Sequence, residues 1–244
     1  MKFLTVLFLI MSTLQQTPFK KSQLQHPRVK AAYDEKDSVV RGYFTSKNIS
    51  YQGFHMFIRA FKKEMKLEVW VREKEKDTHV LLHTYDFCST SGILGPKRKE
   101  GDQQIPEGVY HLNHFNPVSN FYLSLGINYP NASDKILGDP KHPGSSIYIH
   151  GNCVTIGCIP ITDDKIKELY FLAVEATNHG QQKIPVHIFP TKLNGAAWSS
   201  LKREFHTAPS VISFWENLIL LYQDFENTKK LKPVKINNQG EYSM

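Results

Sequence analysis

Leu67, Val69 and Val71 alternate with Glu68, Trp70 and Arg72, and that period of two commits the segment to a half-buried strand. A helix would scatter the same apolar side chains around its axis. The run from Val80 to Phe87 follows after a polar turn, Glu73 to Asp77, so the two runs read as a paired hairpin. Further short strands read at Val109 to Leu112, Phe121 to Leu125, Ser146 to His150 and Ile184 to Phe189. The last is expected near a sheet edge, because Pro185 has no N–H to donate. Between the strands run long loops, Ser89 to Gly108 and Tyr129 to Ser145, rich in Gly, Pro and charge. Loops of that length inside a compact domain are functional or disordered. The chain is therefore expected to be mainly β.

Helical periodicity enters in two places. Thr162 reads as an N-cap, with Asp163 and Asp164 in the first turn, where the helix dipole favours negative charge. Ile166, Leu169, Tyr170, Ala173 and Val174 then share one face, and Gly180 follows the end. From about Leu193 a second helical pattern begins, with Val211, Phe214, Trp215, Leu218, Leu221, Tyr222 and Phe225 at packing-face spacing. Residues 191–244 read as a helical C-terminal extension whose basic tail after Phe225 is expected to be loosely held. At the other end, Lys2 and the apolar run Phe3 to Met11 read as an export signal within residues 1–20. The run falls short of the roughly 20 apolar residues that a membrane span needs. Residues 21–49 read as a polar linker, and residues 50–190 as the folded β domain.

With 244 residues, 41% of them apolar, the chain can bury a full core. Its formal charge of +7 favours polyanions, an anionic wall polymer or membrane surface among them. No arginine-rich stripe with interleaved aromatics is present, so nucleic acid is not the expected partner. The cysteines, Cys88, Cys153 and Cys158, are odd in number, which leaves a thiol unpaired or paired between molecules.

The stretch from Ile149 to Asp164 carries the chemistry. His150 ends a strand, the chain turns at Gly151 and Asn152, and it can return along Val154 to Ile156 toward Gly157 and Cys158. A thiol needs a base beside it to become a nucleophile at neutral pH, and histidine supplies one. Gly157 lets backbone N–H groups approach a bound carbonyl. Two other readings stay open on the residues alone. His150, Cys153 and Cys158 could begin a zinc site, although a fourth ligand at a familiar spacing is missing. Any two of the cysteines could instead form a disulfide, and one involving Cys158 would silence it. Lys97 and Arg98 are either a solvated loop face or, beside a cleft, a carboxylate-binding pair. With Tyr148 they are the candidate substrate contacts.

This segment resembles the catalytic motif of the YkuD-type L,D-transpeptidases in the shortened form of the YafK-like branch. There a His-Gly at a strand end precedes a Gly-Cys whose cysteine is acylated. The likeness extends to Phe57 to Glu64, Ser91 to Asp102, Pro106 to Tyr110, Asn116-Pro117 with Ser119 and Phe121, Tyr129 to Asn131 and His142 to Gly144. It implies a β-sandwich-like catalytic domain over about residues 50–190, with a flanking helix, and no metal or cofactor. It assigns Cys158 as nucleophile, His150 as base held by a backbone carbonyl, and Gly157 to the Gly-Cys pair. The substrate implied is the peptidoglycan stem peptide, and the compartment is the periplasm or cell envelope. Thr155 and Ile156 stand where the broader family has Ser-His, and Pro160 replaces an Arg. How the substrate carboxylate is held thus stays open, and so does the acceptor, an amine or water. A hydrolase or amidase using the same pair and a non-catalytic wall-binding module are the alternatives.

Overall fold

A computed structural model describes residues 17–244. The apolar run of the expected export signal, Phe3 to Met11, lies outside the described residues.

The chain opens with two helices, α1 (Pro18–Gln23) and α2 (Pro27–Ser46), each with a proline in its first turn. Proline suits that position, since its missing N–H has no intrahelical partner there. Strands β1 (Phe54–Phe61), β2 (Lys66–Glu73) and β3 (Val80–Asp86) form an antiparallel meander, with the predicted 67–71 alternation inside β2. Next come β4 (Gly108–Asn116), β5 (Ser124–Ile127), the short helix α3 (Ala132–Leu137), β6 (Tyr148–His150) and β7 (Ile159–Pro160). Helix α4 (Thr162–Asn178) leads into β8 (Pro185–Phe189). Helices α5 (Gly195–Glu204) and α6 (Pro209–Thr228) and a small ribbon, β9 (Lys235–Ile236) with β10 (Tyr242–Ser243), complete the chain.

Eight strands form one mixed sheet in the order β3-β2-β1-β8-β4-β5-β6-β7. Strand β4 joins its two halves. Residues 108–111 pair with β8, residues 112–116 pair with β5, and the register shifts between Leu112 and His114. A bulge there bends the strand and turns the sheet, so the half carrying β6 and β7 curls away from the half carrying β1 to β3. Helices cover both faces of the first half. On one side Ile166, Leu169, Tyr170, Ala173 and Val174 of α4 are fully buried, as their spacing predicts. On the other, Trp215 and Phe225 of α6 pack with Phe61, Phe57 and Trp70. Consequently the polar face of β2 is also covered, and Glu68 is buried in an ion pair with Arg59 at 2.7 Å.

Several expectations need correction. Residues 21–49 are no linker: Val29, Ala32, Val40 and Phe44 of α2 are buried, and carboxylates of α4 receive its polar groups. Tyr33 donates to Glu175 at 2.6 Å, Tyr43 donates to Glu168 at 2.9 Å, and Lys36 pairs with Asp164 at 2.6 Å. Strand β8 is not an edge; it lies between β1 and β4, and Pro185 is tolerated as its first residue. The residues Phe121 to Leu123 precede β5 as a loop. Thr162 is helical rather than a cap, and its N-cap neighbour Ile161 makes no side-chain cap. The tail after Phe225 is anchored, since Tyr242 is 3% exposed and its hydroxyl accepts from Asn131 Nδ2 at 3.0 Å. A side chain at Gly108 would meet that hydroxyl at 2.5 Å, so glycine there admits the tail.

Candidate active site

The strand pairing sets the site's geometry. β6 and β7 run parallel, with Ile149 opposite Ile159 and His150 opposite Pro160. Ile149 and Ile159 are each 1% exposed and face the core. Residues alternate along a strand, so Tyr148, His150 and Cys158 fall on the other face together. Strand spacing and a two-residue offset put the Cα atoms of His150 and Cys158 about 8 Å apart, within reach of an imidazole and a thiol.

Cys158 is the free cysteine; Cys88 and Cys153 are joined in a disulfide with their Cα atoms 5.4 Å apart. That bond dissolves the candidate zinc set, which needed Cys153. The Cys158 sulfur accepts the Tyr148 N–H at 3.4 Å and lies 3.8 Å from the Ser146 carbonyl oxygen. Burial pushes its thiol above the usual cysteine range, opposed by the Tyr148 amide and the Lys97 charge. At neutral pH it rests protonated, so a base must remove the proton before attack.

His150 is 1% exposed, with Nδ1 at 2.5 Å from the Gly151 carbonyl oxygen. A carbonyl only accepts, so Nδ1 carries the hydrogen and Nε2 keeps its lone pair. A backbone carbonyl thus orients the ring. Burial lowers the imidazole's pKa, which keeps it neutral and able to take a proton. Phe121 packs over the ring with centroids 4.5 Å apart. The two side chains share a face but are not hydrogen-bonded to each other; the thiol's contacts are the Tyr148 N–H, two residues before His150 on β6, and the Ser146 carbonyl ahead of that strand.

The turn from Gly151 to Gly157 is pinned at several points. Asp163 Oδ1 accepts the Asn152 N–H at 2.7 Å, which ties the turn to the start of α4. The disulfide fastens its middle to the chain after β3, where Cys88 N–H donates to Pro160 O at 3.0 Å. Gly157 has φ +135°, and a side chain there would lie 3.0 Å from the Gln104 carbonyl oxygen. Its N–H is not free to serve a substrate, because it donates to Thr155 Oγ1 at 3.2 Å, and that hydroxyl donates to Cys158 O at 2.8 Å. The available donor is one residue on: the Cys158 N–H has no partner among the described residues.

The wall that Gln104 belongs to is the long loop before β4, held from beneath by buried Lys62 and Glu107, 2.9 Å apart. Trp215 Nε1 of α6 and the Gly95 N–H both donate to the same carboxylate, at 2.6 and 2.8 Å. Lys97 is 5% exposed and bonds Asp102 at 2.5 Å and Lys99 O at 2.9 Å. It is thus neither a solvated face nor a free carboxylate binder; it staples its own loop. Arg98 lies over Phe214 at 4.8 Å and 3.7 Å from Asp134. With Gln104 it lines a cleft of about 590 Å³ between this loop and α6. The Tyr148 ring is partly buried, 6.3 Å from His114 between centroids.

The sequence reading missed the roles of Thr155, Asp163, Gln104 and Phe121, which act through contacts across loops, although it had placed Asp163 in the first turn of a helix and Thr155 three residues before the cysteine.

One free thiol at a Gly-Cys turn thus shares a strand face with a neutral histidine. The chain belongs to the L,D-transpeptidase catalytic domain family, YkuD, whose model matches residues 55–188. It is 36% identical over 192 residues to YafK of Escherichia coli K12, named as a candidate L,D-transpeptidase, covering 78% of this chain and 74% of that one. The Campylobacter jejuni helical cell shape determining protein Pgp2 superposes over 84% of this chain and 81% of its own, with 18% identity and a TM-score of 0.46. Bdellovibrio bacteriovorus Bd1075 superposes over 70% and 60%, with 25% identity and a TM-score of 0.40.

Proposed function

We propose that this protein is an exported acyltransferase that acts on peptidoglycan stem peptides through a thioester on Cys158. The observation that carries this reading is the division of the cysteines: two are spent on each other and the third is left free on the face of His150. His150 Nε2 takes the thiol proton as sulfur attacks the carbonyl between the third and fourth stem residues. The Cys158 N–H receives the developing oxyanion. The proton passes to the leaving amine, the terminal residue departs, and the acyl group remains on sulfur. An acceptor amine then attacks the thioester, loses its proton to His150 and restores the thiol. Tyr148, on the face of Cys158, and Arg98, in the cleft between the loop before β4 and α6, are the proposed substrate contacts.

The disulfide supports export, since such bonds persist in oxidising compartments and are rare in the cytosol. The family and its relatives' names support the substrate class. Incubating the purified chain with defined muropeptides and weighing the products tests the reading. Cross-linked or amine-capped products that vanish with Cys158→Ala support it. Products that are only trimmed or released would move the acceptor to water, and wall binding that survives Cys158→Ala without turnover would leave a binding module.

A further inference from the structure

A cleft of about 660 Å³ opens where the start of β1, the end of β2, the turn after α4 and the chain after α6 meet. Strand β1 lies five strands along the sheet from β7, so a ligand held there does not touch Cys158. The charge lining it is one-sided: Arg72, Lys183, Lys230 and Lys232 face a single carboxylate, Asp77. Lys232 is tied to Asp224 at 2.5 Å. Lys230 and Asp77 are 3.6 Å apart with side chains 52% and 81% exposed, a pairing that solvent makes weak. Lys183 has no carboxylate partner among the described residues.

Two of the lining side chains are held against each other. Arg72 is fixed by the Lys74 and Lys76 carbonyls at 2.8 and 2.9 Å, and its Nη2 lies 3.1 Å from His55 Nδ1. A guanidinium only donates, so Nδ1 is the acceptor and the His55 proton sits on Nε2. Burial and the adjoining cations lower the imidazole's pKa and keep it neutral. That Nε2 is buried and has no partner among the described residues. The surrounding charge selects an anionic ligand, and Lys183, with no partner among the described residues, is left to receive it.

We propose that this cleft is a second, non-catalytic site for a multiply charged oxyanion, phosphate or polycarboxylate, received by Lys183 and Lys230. Such a site would let the protein hold an anionic group remote from the bond it attacks.

Calorimetric titration of the full chain at low ionic strength tests this, with inorganic pyrophosphate in one arm and citrate in the other. Saturable binding of either anion is expected, and the tighter one names the source chemistry. The double variant Lys183→Glu/Lys230→Glu should bind at least tenfold more weakly. Lys202→Glu, which reverses the same kind of charge on α5 away from the cleft, should leave affinity unchanged. Cys158→Ala should bind as the native chain does, which separates this site from the proposed chemistry. No saturable binding in either arm would overturn the proposal, as would equal weakening by Lys202→Glu, which would reveal only the general attraction of a basic surface.

Discussion

Replacing Cys88 and Cys153 together by serine removes the disulfide that holds the turn carrying Cys158 while leaving the nucleophile in place. The bridge joins residues 65 apart in sequence. Closing a loop of that size in the unfolded chain corresponds to about 4 kcal/mol in the chain-entropy treatment. Neither cysteine is in the core, so serine adds little packing loss. For a chain of this length each kcal/mol shifts Tm by about 2–4 °C, so a fall of about 10 °C is expected. Function should suffer more than stability alone requires. The turn would keep its tie to Asp163 but lose the one to the chain after β3, so Cys158 would no longer be held in a fixed position. Thermal unfolding, with the rate of Cys158 acylation measured well below the variant's Tm, reads both effects. A Tm within about 2 °C of native, or an acylation rate equal to native, would refute the claim that this bond organises the site.

Other outcomes follow from the same contacts. Gly157→Ala places a side chain at φ +135° and 3.0 Å from Gln104 O; a loss of about 1–3 kcal/mol is expected, with slower acylation, and a native-like rate would exclude a tight wall there. Because burial lowers the His150 pKa, the acid limb of kcat/KM should fall below the ordinary histidine value near 6.5, and His150→Gln should abolish that limb. Asp134 is buried and its carboxyl is pushed up to about 6, chiefly by desolvation. Its folded pKa exceeds the unfolded one, so its contribution is fully present below about pH 4 and lost as pH rises through about 6. Asp134→Asn should therefore gain stability relative to native between those limits in denaturant titrations, and a relative loss would contradict the assignment.

Much of the β domain was legible because its strands and α4 write their burial as simple periods. Leu67, Val69 and Val71 point inward as their alternation requires, and the α4 face from Ile166 to Val174 is buried as spaced. The N-terminal helices were missed because α2 spreads a few small or aromatic residues, Val29, Ala32, Val40 and Phe44, through a strongly polar segment. The prolines at 18 and 27 were the signals that could have shown their starts. Pro185 misled because a strand's first residue, like an edge residue, owes the ladder no N–H. The tail after α6 looked unanchored because its hold is one aromatic, Tyr242, received at Gly108 by the absence of a side chain. At the site, spacing placed His150 and Cys158 on one strand face but could not choose among cysteine pairings, which depend on where Cys88 lies in space. Nor could it show that Thr155 occupies the Gly157 N–H, a contact set by loop conformation.

Intact mass after exposure to a carbapenem-like thiol acylator tests the nucleophile most directly. The folded native chain should gain one adduct on Cys158, Cys158→Ala should gain none, and His150→Gln should react about 10²–10⁴-fold more slowly. An adduct of equal yield on Cys158→Ala, or none on the native chain with Cys158 reduced and free, would contradict the account.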